Sequence, residues 1–134
     1  MKRNLALDSI LLTRSELLIM KVIWDEGEAT AKEVCQILAK NKAVAYTTVL
    51  TFMKILERKG ALSHTQSGRA FLYKPLLSRR QATRNHVHDA IERFFDGRPE
   101  RLLAEILNNE ALSPEQLGCA KDFPGLRPDH EVAC

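Results

Sequence analysis

The chain has 134 residues, of which 45% are apolar, and a formal net charge of only +3. This length excludes a large multi-domain enzyme and allows one modest core, or one small domain with an appendage that needs a partner. The charge is unevenly placed, because residues 1–75 carry twelve basic and seven acidic side chains while residues 76–134 carry eight and ten. The asymmetry favours a polyanion-binding first part joined to a mildly acidic second part.

The cysteines and the hydropathy pattern indicate the compartment. Cys35, Cys119 and Cys134 form no close pair, and residues 1–12 lack the apolar run and the cleavage site of a secretory signal. The Asp-Glu-Gly sequence at residues 25–27 interrupts the longest apolar stretch well before it reaches roughly 20 residues. We therefore expect a cytoplasmic protein with no membrane insertion.

Two helices are predicted early in the chain, each opening on a Thr-x-x-Glu sequence. Thr13-Arg14-Ser15-Glu16 starts the first, which runs to about Glu26 and ends at Gly27, and Thr30-Ala31-Lys32-Glu33 starts the second. In such a capping box the threonine and glutamate side chains satisfy each other's free backbone amides. The predicted buried positions are Leu17, Met20 and Trp24 in the first helix and Ala31, Val34, Cys35 and Leu38 in the second.

A third helix is predicted over Tyr46–Lys59, after a connector at residues 41–45, and Gly60 closes it. Its inner face consists of Val49, Phe52, Met53 and Leu56. Its outer face carries small, hydroxylated and basic side chains, which suit the approach to a nucleic acid, although an ordinary solvated face is the alternative. The candidate DNA-binding residues on this helix are Tyr46, Thr47, Thr48, Leu50, Thr51, Lys54 and Arg58.

A β-hairpin with a basic tip is predicted next. Residues 61–66 and 70–74 are strand-like, and Ser67-Gly68-Arg69 joins them. Three helices followed by a hairpin is the order of a winged helix, in which the third helix enters the major groove and the hairpin follows the DNA backbone. We expect Arg69 to contact a phosphate or the minor groove, with a free surface arginine as the alternative. Pro75 marks the end of this predicted DNA-binding domain, residues 1–75.

Residues 76–117 predict a helical dimerisation domain. Ser78–Phe95 and Glu100–Asn109 are amphipathic, and Gly97-Arg98-Pro99 separates them. Two helices of this size cannot bury both apolar faces on each other alone, so we expect a second copy of the chain to complete the core. The predicted dimerisation residues are Val87, Ile91, Phe94, Leu102, Leu103, Ile106 and Leu107.

A last helix is predicted to start at Ser113, with Pro114 in its first turn. Gly118, Pro124 and Pro128 are expected to end it almost at once, which leaves residues 118–134 as an atypical, disordered tail. The expected fold class is therefore mainly α with a small β-hairpin: a winged helix-turn-helix head plus a helical dimerisation tail.

Catalytic and metal-binding patterns are missing from the sequence. It contains no Gly-rich phosphate loop, no His-Glu-x-x-His run and no nucleophile elbow, so we expect no enzyme and no cofactor. His86 and His88 are two residues apart, which directs them to different faces of a helix, and we expect no metal site. The alternative function is a winged-helix module that binds a protein without specific DNA binding.

Four groups of residues carry a family resemblance between Leu12 and Leu117. They are Leu12-Thr13-Arg14-Ser15-Glu16-Leu17 with Met20-Lys21-Val22-Ile23-Trp24, Ala45-Tyr46-Thr47-Thr48-Val49 with Leu56-Glu57-Arg58-Lys59-Gly60, Tyr73-Lys74-Pro75, and Leu112-Ser113-Pro114-Glu115. Together they resemble the penicillinase-repressor family of BlaI/MecI/CopY-type regulators. The resemblance implies a homodimer that represses transcription by binding a palindromic operator in double-stranded DNA. It also implies release when a membrane sensor-protease triggers cleavage of the tail.

Two features depart from the family pattern. In antibiotic-responsive members the cleaved bond joins an Asn to a Phe in the helix that matches Leu102–Leu107, whereas the matching pair here is Glu105-Ile106. Copper-responsive members carry closely paired C-terminal cysteines, whereas Cys119 and Cys134 are far apart. The resemblance therefore leaves the inducing signal open and makes Glu105-Ile106 an altered candidate cleavage site.

Overall fold

A computed structural model of the chain describes residues 5–41, 43–109 and 111–121, without the side chains of residues 5, 6 and 119–121. The elements in chain order are α1 (Leu5–Asp8), α2 (Arg14–Glu26), β1 (Ala29–Thr30), α3 (Ala31–Leu38), α4 (Tyr46–Lys59), β2 (Leu62–Ser67), β3 (Ala70–Pro75), α5 (Arg79–Phe94), α6 (Pro99–Asn109) and α7 (Pro114–Lys121). The predicted class, mainly α with a small β component, is confirmed. The chain divides into two compact units, Met1–Asp89 and Ala90–Cys134.

Both predicted capping boxes are present. The Thr13 hydroxyl accepts a hydrogen bond from the Glu16 amide at 3.2 Å, and the Glu16 carboxylate accepts one from the Thr13 amide at 2.8 Å. Thr30 and Glu33 make the same pair of bonds at 3.2 and 3.1 Å. These bonds satisfy amides that have no partner within the helix, which explains why α2 and α3 begin where the sequence predicts.

The core of the first unit lies between α2, α3 and α4. Its fully buried side chains include Met20 and Ile23 of α2 and Val34 of α3. The predicted stripe on α2 is partly wrong, since Leu17 and Trp24 are only half-buried while Ile19, Val22 and Ile23 lie in the core. The packing surface is therefore rotated towards Ile19 and Ile23, because α2 is covered by both α3 and α4 rather than by one neighbour.

A three-stranded antiparallel sheet with the order β1-β3-β2 closes the first unit. Ala29 of β1 pairs with Tyr73, and β2 and β3 form the predicted hairpin, in which Ser67 pairs with Ala70. Gly68 has a φ of +64°, a backbone conformation that residues other than glycine rarely adopt, which is why the turn falls there. Strand β1 was not predicted, because two residues are too few to show alternation.

The first unit includes the segment that follows the hairpin. Leu77 is fully buried, and its carbonyl accepts a hydrogen bond from Trp24 Nε1 at 2.8 Å. Buried Asn85 on α5 donates hydrogen bonds to the carbonyls of Leu7 and Ile10 at 2.7 and 3.0 Å. The predicted domain boundary at Pro75 thus lies inside this unit, and it remains a prediction that a truncation can test.

We expect a fragment of residues 1–75 to be less stable than a fragment of residues 1–89 by about 3 kcal/mol or more, because it loses the buried Leu77 and the hydrogen bonds of Asn85. Urea unfolding midpoints of the two fragments measure the difference. An Asn85→Ala variant of the longer fragment should fall between them. Equal midpoints for the two fragments would place the boundary at Pro75.

The second unit contains the end of α5, then α6 and α7. Asp96 and Gly97 adopt φ values of +52° and +76° between α5 and α6, as expected for the predicted break. The Ser113 hydroxyl accepts a hydrogen bond from the Gln116 amide at 3.1 Å, which confirms the predicted start of α7. The short helix continues past Gly118 to Lys121, because glycine weakens a helix without removing its hydrogen bond.

Residues 122–134, which hold most of the predicted tail, lie outside the described residues. The side chain of Cys119 is likewise outside them, so the predicted lack of a cysteine pair stays a prediction for Cys119 and Cys134. Among the described residues, no helix is long and apolar enough to cross a membrane.

Candidate nucleic-acid interface

Helix α4 presents a solvent-exposed stripe opposite its buried face. Val49, Met53 and Leu56 have no solvent exposure and hold the helix against the core. The exposed residues recur at helical spacing on the other side: Thr47, Thr51, Lys54 and Arg58. Gly60 ends the helix in the left-handed conformation with a φ of +91°, as predicted. The stripe therefore extends along the whole length of α4 and is free of side chains from the core.

Two threonines are less available than the sequence suggests. The Thr51 hydroxyl donates to the Thr47 carbonyl at 2.8 Å, so its proton is committed within the helix and its oxygen is left as an acceptor. Thr48 is exposed but lines a separate groove of about 370 Å³ with residues such as Leu18 and Phe52. Thr48 thus lies at the edge of the stripe, on the side that faces α2.

A cleft of about 320 Å³ separates α4 from the hairpin. Its walls combine aromatic rings and cationic side chains. The lining residues are Thr30, Ala31 and Lys32 at the start of α3, Tyr46, Leu50 and Lys54 of α4, and Arg69, Ala70, Phe71 and Tyr73 of the hairpin. Tyr46 and Phe71 are 49% and 44% exposed, which leaves about half of each side chain accessible to a ligand.

Four of the eight predicted DNA-binding residues line this cleft: Tyr46, Leu50, Lys54 and Arg69. Thr47, Thr51 and Arg58 lie along the stripe instead, and Thr48 lines the separate groove. Lys32 and Phe71 also line the cleft, and the sequence did not predict either of them as a DNA-binding residue. Lys32 lies within the capping box of α3, so the sequence around it indicates only a helix start. It reaches the cleft because α3 packs beside the hairpin. Phe71 has the pattern of an ordinary strand residue.

No acidic side chain that the structure describes pairs with the cations of the stripe and the cleft. Throughout the part of the chain that the structure describes, Lys32, Lys54, Arg58 and Arg69 make no ion pair. By contrast, Lys59 at the end of α4 contacts the Glu16 carboxylate at 2.7 Å. An excess of positive charge at the mouth of the cleft attracts polyanions and is weakened by salt.

Glu16 and Lys59 fix the end of α4 to α2. Lys59 Nζ donates to Glu16 Oε1 at 2.7 Å and to the Leu11 carbonyl at 3.0 Å. Burial by itself raises the pKa of the Glu16 carboxyl, but the hydrogen bonds from Lys59 and from the Thr13 amide outweigh burial and lower the pKa below its usual value. The carboxylate is therefore stabilised in its charged form inside the protein.

Other candidate residues have structural partners. The Cys35 thiol is half-buried and donates to the Val44 carbonyl at 3.2 Å. His86 Nε2 accepts a hydrogen bond from the Leu12 amide at 2.8 Å. Among the described residues, no three His, Cys, Asp or Glu side chains are grouped closely enough to hold a metal ion.

The arrangement of the first unit defines a class of protein. Helices α2, α3 and α4 pack under a sheet whose hairpin projects beside the exposed face of α4, which makes the unit a winged helix-turn-helix domain. The penicillinase repressor family matches residues 12–120 of the chain. The chain therefore belongs to the penicillinase repressor family, which consists of transcriptional repressors and not of enzymes.

Three comparisons show the extent of the similarity. The chain is 32% identical over 103 residues to the penicillinase repressor of Bacillus licheniformis, covering 77% of this chain and 80% of the relative. A solution structure of the DNA-binding domain of the repressor BlaI is 34% identical with a TM-score of 0.48, covering 52% of this chain and 85% of that one. The monomeric form of Bacillus licheniformis BlaI, in complex with the blaP half-operator, is 33% identical with a TM-score of 0.48, covering 55% and 89%.

Proposed function

We propose that this protein represses transcription in the bacterial cytoplasm by binding a palindromic operator in double-stranded DNA as a homodimer. The observation that carries the proposal is the exposed stripe of α4 beside a cleft whose cations have no ion-pair partner among the described residues. In this proposal α4 is the recognition helix that enters the major groove, and the hairpin β2–β3 is the wing that follows the DNA backbone. Family membership supports the same function.

The residue roles follow from chemistry and position. Thr47 and Thr51 are small enough to approach base edges, Thr51 as an acceptor because its proton is committed. Lys54 and Arg58 further along the stripe would neutralise phosphates. Arg69 at the tip of the wing would contact a phosphate or the minor groove. Tyr46 and Leu50 in the cleft would contact a sugar or a thymine methyl group, and Thr48 would contact the backbone on the side of α2.

The proposed dimer rests on apolar side chains that the single chain leaves in solvent. None of the α6 side chains is buried, even though several are apolar. Leu103, Ile106 and Leu107 are 45%, 38% and 51% exposed, and they share one face with Leu102. Phe94, on α5, is 72% exposed, while Val87 is 44% exposed and Ile91 is half-buried. Exposure of this extent is typical of a surface that another chain covers.

The binding test uses the purified full-length chain and a duplex from the promoter region that precedes its own gene, with a random duplex of equal length as the control. We expect tighter binding to the promoter duplex, measured by fluorescence anisotropy. The logarithm of the binding constant should fall with the logarithm of salt concentration by about 0.9 per phosphate contact, between roughly 50 and 200 mM salt. A flat salt profile and equal affinities would favour the protein-binding alternative.

Two variants separate the roles of helix and wing in the same assay. Arg69→Ala should weaken binding to both duplexes alike, whereas Thr47→Ala should cost about 1–3 kcal/mol for the promoter duplex and little for the random one. Lys21→Ala, which removes an exposed lysine of α2 outside the cleft, is the matched control for lost charge. If Arg69→Ala changed sequence preference at unaltered non-specific affinity, the two roles would have to be exchanged.

Release is proposed to occur through the second unit, where a membrane sensor-protease would initiate cleavage of α6. Glu105 and Ile106 are exposed on that helix. Because Glu105 adds a carboxylate where relatives of the antibiotic-responsive kind have an asparagine, we expect a protease adapted to those relatives to cut this chain poorly. Incubation with induced host membranes, followed by mass spectrometry of the fragments, measures cleavage. Efficient cutting between Glu105 and Ile106 would contradict this expectation.

A further inference from the structure

We propose that Glu57 and His64 are positioning residues, which hold the wing against the recognition helix so that Arg69 and α4 reach the same DNA segment. This inference rests on the proposed function for its consequence in DNA binding, but its structural part concerns the free protein. Neither residue belongs to the exposed stripe of α4 or lines the cleft.

A contact between a carboxylate and an imidazole connects α4 to the hairpin, and ring contacts hold that imidazole within the hairpin. Glu57 Oε1 on α4 contacts His64 Nδ1 on β2. The His64 ring lies against the ring of Phe71, with centroids 4.4 Å apart and planes inclined by 33°, and 5.6 Å from the ring of Tyr73, its partner across the strands. His64 is therefore held from two sides, by a carboxylate of the helix and by aromatic rings of β3.

The Glu57–His64 contact lies between the buried base of the wing and its exposed tip. Leu62 and Tyr73 at the base of the hairpin are almost fully buried, at 1% and 3% exposure. Two positions closer to the turn, the same face carries His64 on β2, opposite Tyr73, and Phe71 on β3, opposite Gln66, and both are exposed residues. Beyond them the hairpin leads to Arg69. The Glu57–His64 pair thus fastens the wing at the point where the core stops supporting it.

Because Glu57 is negatively charged, its replacement changes DNA affinity in opposite directions with and without a positioning role. A carboxylate near the DNA-facing side of α4 repels phosphates, so removal of its charge alone would strengthen DNA binding. If Glu57 positions the wing, its removal weakens DNA binding instead.

The first experiment measures affinity of the full-length chain for its own promoter duplex. We expect Glu57→Gln and His64→Gln each to weaken binding about 3- to 10-fold, and the double variant to be no weaker than either, as for residues that act as a pair. Glu26→Gln, which removes another exposed carboxylate, should leave affinity unchanged or slightly raised. Tighter binding by Glu57→Gln would overturn the inference.

Hydrogen exchange in the absence of DNA tests the structural part alone. We expect the backbone amides of residues 64–72 to exchange faster in Glu57→Gln than in the native chain, with α2 and α3 unchanged. Unaltered exchange in the wing would overturn the inference, even if the protein binds its promoter. A native chain that binds no DNA would contradict the proposed function. Faster exchange in the variant would still support the contact between wing and helix in that case.

Discussion

An Ile106→Asp variant is expected to bind the operator about 100-fold more weakly than the native chain, although Ile106 has no proposed contact with DNA. Two linked heads bind a two-fold site much more tightly than two separate heads, because the second head searches only a small volume once the first is bound. Ile106 is 38% exposed in the single chain and lies on the apolar face of α6. A buried aspartate at that position would oppose association of two chains.

Sedimentation measures the oligomeric state, and anisotropy measures affinity for a full operator and for a half-site. We expect the variant to be a monomer whose half-site affinity equals that of the native chain. Asn108→Asp adds the same charge on the polar side of α6 and should remain a dimer with native affinity. A dimeric Ile106→Asp variant, or a native chain that is monomeric at micromolar concentration, would contradict the proposed dimer surface.

Replacement of Glu16 by alanine is expected to lower the free energy of unfolding by about 2–4 kcal/mol. The variant loses the hydrogen bonds that the carboxylate accepts from Lys59 and from the Thr13 amide, and charge-assisted bonds to a buried group are worth more than ordinary ones. Glu33→Ala removes the same capping position from α3, where the carboxylate is exposed and no lysine that the structure describes pairs with it. The Glu33→Ala control should lower the free energy of unfolding by only about 1 kcal/mol.

The contact between Glu16 and Lys59 predicts that the folded chain loses stability in acid. Because the pKa of Glu16 is lower in the folded chain than in the unfolded one, its contribution is complete above the usual carboxyl pKa and is lost as the pH falls through the folded value. We expect urea midpoints to decline below about pH 4.5, and Glu16→Gln to remove part of that decline. Identical pH profiles for the native chain and Glu16→Gln would contradict the assigned role.

Features whose cause lies within a few residues were predictable from the sequence. The capping boxes at Thr13 and Thr30 and the glycine turn at Gly68 depend on bonds or dihedral angles between near neighbours, and the structure places them as predicted. The bounds of α4 follow in the same way from its periodic apolar face and from Gly60. Because the exposed stripe is the reverse of that periodic face, much of the candidate DNA-binding surface followed from the sequence as well.

Contacts between distant parts of the chain were decided by tertiary packing. Glu16 reads locally as a helix cap, and its burial against Lys59, 43 residues away, requires α2 and α4 to meet at one end. Lys32 joins the cleft only because the start of α3 packs beside the wing. The Glu57–His64 pair likewise depends on the angle between a helix and a strand. Such angles are set by the shapes of many buried side chains at once, which no short window of sequence contains.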